Sequence, residues 1–135
     1  PKDSLPEALT RYVDIIIPNE TEAAYMTGVK VTDLDSAGKA MAAIRQTGIP
    51  HPIITAGKAG AYTLNEEGHP LLVPSFPVQA VDTVAAGDTF CGAFCVALTK
   101  GMTMEESIRV GNKAASIAVT RQGAQPSVPQ AWEVF

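Results

Sequence analysis

Residues 82–90 read DTVAAGDTF and are followed by an apolar, alanine-rich stretch typical of a buried helix. The small side chains of Ala85, Ala86 and Gly87 allow backbone N–H groups to converge at the helix start, where they can bind a phosphate or a developing oxyanion. Asp88 would repel such an anion unless its carboxylate faces the other reactant and accepts the proton of a hydroxyl that attacks phosphorus. The stretch therefore predicts an anion-binding helix start with a general base beside it.

A purely structural interpretation of the same residues stays open. Negative charge is stabilised near a helix N-terminus, so Asp88 fits an ordinary first turn and Gly87 an ordinary helix cap. A short AxGD sequence is compatible with both interpretations. The rest of the chain is needed to choose between them.

The segments before this stretch predict an α/β fold. Apolar runs over residues 13–18 and 52–56 are typical of strands covered on both faces, as in a parallel sheet. Helices capped by Asn19, and by Asp33 or Asp35, separate the two strands. The order strand, helices, strand implies a right-handed parallel crossover.

From Gly57 onward the hydrophobic period changes to two. Residues 61–64 and 70–73 alternate around a polar turn, which predicts a β-hairpin. Beyond the hairpin, a helix is predicted over residues 86–100.

Thr103 opens a capping box for a last long helix that could reach Thr120. The tail at residues 124–129 is rich in proline, and we expect it to lie extended on the surface.

The composition limits the class of protein. The chain has 135 residues, of which 46% are hydrophobic and 18% charged, and its formal net charge is −4. This length predicts one domain with a substantial core. Lys and Arg do not cluster, which argues against nucleic-acid binding, and no apolar run approaches the ~18 residues of a membrane span.

The start of the chain and its low charge suggest part of a longer protein. The first residue is Pro1 instead of Met, and the charged fraction lies below the ~25% typical of soluble domains. A surface normally covered by a missing part would explain the low charge, and so would an Ala-rich, well-packed domain. Because no basic-then-apolar leader precedes the first strand, we expect a cytoplasmic location.

Four ordered motifs resemble one family. Residues 82–88 resemble the second signature of the PfkB-type carbohydrate kinases, Asp-Thr-x-Gly-Ala-Gly-Asp, and Ala85, where many members carry glycine, is shared by bacterial ribokinases. Residues 19–22 (NETE) resemble its Asn-x-x-Glu element, and residues 55–60 (TAGKAG) its Thr-x-Gly-x-x-Gly nucleotide loop. Residues 118–129 (AVTRQGAQPSVP) are similar to the C-terminal run of ribokinases.

The resemblance implies a ribokinase-like three-layer α/β/α fold with a mostly parallel sheet plus a β-hairpin. Members of the family are longer than this chain, and most of their sugar-binding elements lie in the N-terminal half. Residues 1–135 would then form the C-terminal nucleotide-binding part, with the N-terminal half and its β-sheet lid absent.

The resemblance also assigns the catalytic roles. Asp88 would contact the sugar and accept the proton of its hydroxyl. The backbone amides of Ala85, Ala86 and Gly87 would form the anion hole for the γ-phosphoryl of ATP, and Gly87 and Asp88 would also border the nucleotide.

Asn19 and Glu22 would organise Mg²⁺ and the nucleotide phosphates, largely through water, because Mg²⁺ loses its hydration shell reluctantly. The structural alternative makes Asn19 a plain helix N-cap and Glu22 a solvated first-turn acid. The remaining nucleotide contacts would come from six loop residues and one helix residue: Thr55, Ala56, Gly57, Lys58, Ala59, Gly60 and Asn112. Of these, Asn112 would contact the adenine or, as the alternative, form only a local hydrogen bond.

Ribokinases further share a monovalent-cation site. Here it would hold K⁺ through Asp82 and nearby backbone carbonyls, although Asp82 is also a common turn residue at a strand end. The other members of the site would be Val84, Ala118, Arg121, Gly123 and Ser127.

The implied reaction is ATP plus D-ribose giving ADP plus D-ribose 5-phosphate, with ATP, Mg²⁺ and K⁺ bound and a homodimer formed through the lid. We expect the isolated chain to catalyse this reaction poorly or not at all. Two alternatives stay open: a nucleotide-binding or assembly module without catalysis, and a kinase of the same family for another sugar or nucleoside.

Overall fold

The computed structural model describes residues 6–135, so Pro1 lies outside the described part. None of the described helices is long and apolar enough to cross a membrane. Two 3-10 turns, Gly57–Ala59 and Gln125–Ser127, accompany the regular elements. In chain order these elements are α1 (Glu7–Thr10), β1 (Ile15–Ile16), α2 (Glu20–Thr27), α3 (Leu34–Gln46), β2 (His51–Pro52), β3 (Ile54–Thr55), β4 (Gly60–Leu64), β5 (Pro70–Pro74), α4 (Ala86–Thr99), α5 (Met104–Ala118) and α6 (Ala131–Val134).

The chain divides into two compact units, and the first comprises the described residues up to Ala56 together with Ala61–Leu72. In this unit β1 pairs in parallel with β2, and the ladder continues because the Thr55 N–H donates to the Pro18 carbonyl at 2.9 Å. The predicted parallel pair of strands is therefore confirmed. The isoleucines of residues 15–17 are half-buried instead of covered on both faces, because the described elements of this unit cover them incompletely.

The predicted hairpin is also confirmed. β3 pairs antiparallel with β4, and β5 lies on the other side of β4. The Asn65 N–H donates to the His69 carbonyl at 2.9 Å and closes the turn. Buried, mainly apolar side chains of the two helices, the sheet and their connections form the core of the first unit: Ala23, Val31, Ala37, Ala40, Met41, Ile54, Ala56 and Tyr62.

The second unit comprises Gly57–Gly60 and Val73–Phe135, and in it α4 packs along α5. Phe90 and Phe94 of α4 are buried, with nearly parallel rings whose centroids lie 6.1 Å apart. Gly111 of α5 lies against Phe90, where a Cβ atom would come within 2.8 Å of the aromatic ring. The close approach of these two helices therefore depends on glycine at this position.

The prediction that the proline-rich tail lies extended is wrong. Gln125–Ser127 forms a 3-10 turn with Pro126 in its first positions, and α6 follows. Proline is compatible with the start of a helical turn because that position donates no N–H within the turn. Ser127 is buried, and its hydroxyl donates to the Ala124 carbonyl at 2.6 Å.

Candidate active site

The start of α4 carries no side-chain cap. Ala85 occupies the N-cap position and its side chain has no oxygen atom, while the Ala86 N–H donates to the Thr83 carbonyl at 3.2 Å. Within residues 6–135, the N–H groups of Ala85, Gly87 and Asp88 have no hydrogen-bond acceptor. Two of the three amides predicted to form the anion hole are therefore free, and the third is held by the chain itself.

Asp88 is the third residue of α4, and its side chain is exposed. No described residue forms a hydrogen bond or an ion pair with its carboxylate. The helix dipole favours negative charge at this position, as the structural interpretation assumes. The same unpaired carboxylate is chemically free to accept a proton from a bound hydroxyl.

Asp82 ties the loop before α4 to the turn after α5. Its Oδ1 accepts from the Val84 N–H and its Oδ2 from the Gly123 N–H, each at 3.0 Å. Its own N–H donates to the Val119 carbonyl at 3.1 Å. The hydrogen bonds from the Gly123 and Val84 amides stabilise the ionised carboxylate and lower the pKa of Asp82.

The backbone oxygens near Asp82 fit the predicted cation site. Within the described chain, the carbonyls of Val84, Arg121 and Gly123 accept no hydrogen bond, and the Ala118 carbonyl accepts only the Arg121 N–H at 3.0 Å. Ser127 is buried, but its hydroxyl donates to a neighbouring carbonyl. Unused carbonyl oxygens beside one carboxylate are ligands suited to a large, weakly hydrated cation such as K⁺.

In the first unit, Asn19 and Glu22 form a reciprocal capping box at the start of α2. The Asn19 side chain accepts from the Glu22 N–H at 2.9 Å, and the Asn19 N–H donates to Glu22 Oε2 at 2.8 Å. Asn19 also lies beside Thr55 in a parallel bridge. The structural interpretation of Asn19 as an N-cap is thus confirmed, and Glu22 is part of the same cap.

This arrangement fits Mg²⁺ only through water. The capping box engages one oxygen of the Glu22 carboxylate and leaves Oε1 exposed to solvent. Over residues 6–135, no group of three or more His, Cys, Asp or Glu side chains is placed to hold a metal ion. Glu22 therefore has the chemistry to bind the hydration shell of Mg²⁺, which prefers to keep several waters.

The predicted nucleotide loop is divided between the two units. Thr55 is half-buried and Ala56 buried in the first unit. In the second unit Gly57, Lys58 and Ala59 form an exposed 3-10 turn, and Gly60 begins β4.

Gly60 has a structural reason that the motif alone does not reveal. Its φ is +118°, and a Cβ atom would lie 2.1 Å from the Val73 carbonyl oxygen. The Ser75 N–H donates to the Ala59 carbonyl at 3.2 Å in the same place. The backbone that approaches Gly60 closely is thus that of residues 73–75, whereas no described residue other than its chain neighbours lies within 4 Å of a Cβ built on Gly57.

Asn112 is buried in α5 and joins that helix to β5. Its Nδ2 donates to the Val73 carbonyl at 2.9 Å and to the Pro74 carbonyl at 3.2 Å. The expected alternative, a local hydrogen bond, is wrong because the partners lie 38 and 39 residues away in sequence. Its Oδ1 is the atom that could still accept a hydrogen bond from a nucleotide base.

A family model described as pfkB family carbohydrate kinase matches residues 1–131. The ribokinase of Haemophilus influenzae is 44% identical to the chain over 135 residues, which cover all of the chain and 44% of that protein. The chain belongs to the PfkB carbohydrate kinase family. It spans less than half the length of this curated relative.

Solved structures confirm the ribokinase-like α/β fold of this PfkB family chain. Arabidopsis thaliana ribokinase, complexed with ribose and ATP, matches it with a TM-score of 0.91 and 34% identity, over 98% of the chain and 43% of that structure. Phosphofructokinase-2 from Escherichia coli, in complex with potassium, matches with a TM-score of 0.80 and 25% identity, over 95% of the chain and 40% of that structure.

The PfkB family motifs assigned a role only to the backbone carbonyl of Arg121. They did not reveal what the Arg121 side chain does. Its guanidinium forms an ion pair with Glu133 of α6. The only signal in the sequence is an opposite charge 12 residues later, which has no fixed spacing to detect.

Proposed function

We propose that residues 1–135 form the C-terminal nucleotide-binding part of an ATP-dependent sugar kinase, which transfers the γ-phosphoryl group of ATP to a hydroxyl of D-ribose and yields D-ribose 5-phosphate. The observation that carries this proposal is the uncapped start of α4, where free N–H donors lie beside an exposed, unpaired Asp88. The ribokinase names of the relatives support the choice of sugar. The activity is proposed for the whole protein, since the chain spans 44% of that relative.

The chemical step follows from this arrangement. The sugar hydroxyl attacks the γ-phosphorus while its proton passes to the Asp88 carboxylate. The N–H groups of Ala85 and Gly87 stabilise the negative charge on the transferred phosphoryl oxygens, and the P–O bond to ADP breaks. Asp88 does not repel the phosphate in this arrangement, because the hydroxyl lies between the two negative groups.

The remaining predicted residues bind the nucleotide in this proposal. The Asn112 side chain presents Oδ1 to the adenine, since both its recorded hydrogen bonds use Nδ2. Glu22 binds water molecules of Mg²⁺, and the ion, when bound, neutralises phosphate charge. The loop that lines the phosphates and the ribose of ATP is Thr55, Ala56, Gly57, Lys58, Ala59 and Gly60.

We also propose a K⁺ site at Asp82 and the free carbonyls of Val84, Arg121 and Gly123. A cation there would neutralise the carboxylate that holds the loop before α4, and would thereby order the free N–H groups. The potassium complex of Escherichia coli phosphofructokinase-2 supports a cation in this family. The cytoplasmic location and the homodimer formed through a lid stay predictions.

A chimeric enzyme tests the proposed function. The chain replaces the matched 44% of Haemophilus influenzae ribokinase, and phosphorylation of ribose by ATP is measured for the chimera and for the chain alone. We expect the chimera to phosphorylate ribose and the chain alone to do so poorly or not at all.

Folding of the chimera is checked by its cooperative thermal unfolding. A folded chimera that binds ATP without phosphorylating any sugar would support the binding-module alternative and reject the kinase. Phosphorylation of another sugar or a nucleoside in preference to ribose would reject only the substrate. Normal turnover by the chain alone would reject its assignment as a part of the catalytic unit.

A further inference from the structure

The ion pair between Glu133 and Arg121 is partly buried, and the guanidinium contacts both oxygens of the carboxylate. Arg121 Nη2 donates to Glu133 Oε1, and Nη1 donates to Oε2 at 3.4 Å. The Glu133 side chain is 17% exposed and that of Arg121 36%. Glu133 Oε2 also accepts from the Gln130 N–H at 2.7 Å, which fixes the carboxylate at the start of α6.

Backbone contacts connect this ion pair to Asp82. The Arg121 N–H donates to the Ala118 carbonyl at 3.0 Å at the end of α5. Two residues further on, the Gly123 N–H donates to the Asp82 carboxylate at 3.0 Å. Arg121 lies between these two backbone contacts, and its side chain ties the same turn to Glu133 of α6.

We propose that Glu133, acting through Arg121, is a positioning residue that holds the turn of residues 118–123 in place for the contact between Gly123 and Asp82. The inference rests on the proposed function only for the K⁺ site, of whose carbonyls those of Arg121 and Gly123 belong to this turn. Two-point arginine–carboxylate contacts fix orientation as well as position, which a single exposed ion pair does not.

The chain offers a matched control for this ion pair. Arg109 and Glu105 of α5 pair at 3.3 Å, and their side chains are 58% and 55% exposed. Exposed pairs of this kind contribute little to stability. Glu105→Gln therefore removes the same charge as Glu133→Gln without touching the turn after α5.

Amide hydrogen exchange of the ¹⁵N-labelled 135-residue chain tests the proposal without any catalytic assay. We expect Glu133→Gln to raise the exchange rate of the Gly123 amide by about fivefold, the ratio that ~1 kcal/mol corresponds to. Glu105→Gln leaves that rate unchanged. An unchanged Gly123 rate in Glu133→Gln overturns the proposal, and so does an equal rise in the core amides of α4 and α5, which would indicate general destabilisation.

A KCl titration of the same samples, with choline chloride as the control salt, separates this inference from the proposed function. We expect the K⁺ concentration that half-saturates the Gly123 shift change to be about fivefold higher in Glu133→Gln than in the unmodified chain. An unaltered K⁺ midpoint overturns the link to the cation site. If the unmodified chain shows no K⁺-specific shift, the K⁺ part of the proposed function fails while the exchange result still decides the positioning role.

Discussion

The first turns of α2 and α4 place an acidic residue at the same position and use it differently. Glu22, the third residue of α2, folds back to the backbone of Asn19, whose side chain caps the Glu22 N–H in return. The carboxylate of Asp88, the third residue of α4, forms no hydrogen bond or ion pair with a described residue, and the N-cap is Ala85. A side chain thus caps the Glu22 N–H at the start of α2, whereas the N–H groups of Gly87 and Asp88 at the start of α4 have no acceptor among the described residues.

The other long helices, α3 and α5, are capped in the same way as α2. α3 starts with a reciprocal box between Asp33 and Ser36, and α5 with one between Thr103 and Glu106. A side-chain cap contributes about 1 kcal/mol, so its absence at α4 is an exception among the described helices of eight or more residues. Exceptions of this kind are expected at functional sites.

The largest expected effect is on kcat, and it distinguishes the unpaired Asp88 from an acid at the same position of a capped helix. In the active chimera, Asp88→Asn should lower kcat about 10²–10⁴-fold, because the amide cannot accept the proton of the sugar hydroxyl. The affinity for ATP should change little. Glu106→Gln is the matched control, since Glu106 is the third residue of α5 and belongs to a capping box. Steady-state kinetics of both variants decide the matter: a near-normal kcat for Asp88→Asn would remove Asp88 from the role of base.

A smaller effect concerns stability. Asn19→Ala should destabilise the chain by about 1 kcal/mol, because the Glu22 N–H loses its side-chain acceptor. Ala85→Ser should change stability by less than about 0.5 kcal/mol, because residue 85 has φ −100° and ψ 6° instead of the extended backbone of an N-cap. Urea unfolding of both variants measures these differences. If Ala85→Ser raised the free energy of unfolding by about 1 kcal/mol, the contribution of a full cap, α4 would merely be a poorly capped helix.

The smallest expected effect is a local pH dependence. Hydrogen bonds from the amides of Gly123 and Val84 lower the pKa of Asp82. The stability that the ionised Asp82 contributes is therefore fully present above the unfolded pKa of ~3.9, and it is lost as the pH falls through the lowered pKa. We expect the amide shift of Gly123 to change only below about pH 4. The Gly101 N–H, which donates to the Leu98 carbonyl at 2.9 Å and has no acidic residue beside it in sequence, serves as the internal reference.

Two-dimensional NMR spectra recorded between pH 6 and pH 3 follow both amides. Asp82→Asn should abolish the low-pH change at Gly123, since the amide side chain does not titrate in this range. A transition at Gly123 near neutral pH, or one that survives in Asp82→Asn, would contradict the assignment to Asp82.

The sequence predicted those parts of the fold that depend on neighbouring residues. The N-caps Asn19 and Thr103, the hairpin and the parallel pair of strands all follow from spacing over a few positions, and the structure confirms them. The tail was predicted wrongly, because a proline that cannot continue a helix can still start a 3-10 turn.

The contacts of several site residues could not be predicted, because they join distant segments. Asn112 reaches carbonyls of β5 that lie 38 and 39 residues earlier. Gly60 is required by the backbone of residues 73–75, and Asp82 is held by an amide 41 residues later. No periodicity or motif encodes such pairs, since their distance depends on how the helices and strands pack.

The sequence by itself determined the family and the run of small residues at the start of α4, because such a run is a local property of consecutive positions. It is the feature from which anion binding was predicted. Only the tertiary structure decided which groups remain available there. The Thr83 carbonyl accepts from the N–H of Ala86, and Asp82 holds the turn at Gly123, while the N–H of Gly87 has no acceptor among residues 6–135. These outcomes depend on hydrogen-bond geometry, which is fixed by packing and not by the order of the residues.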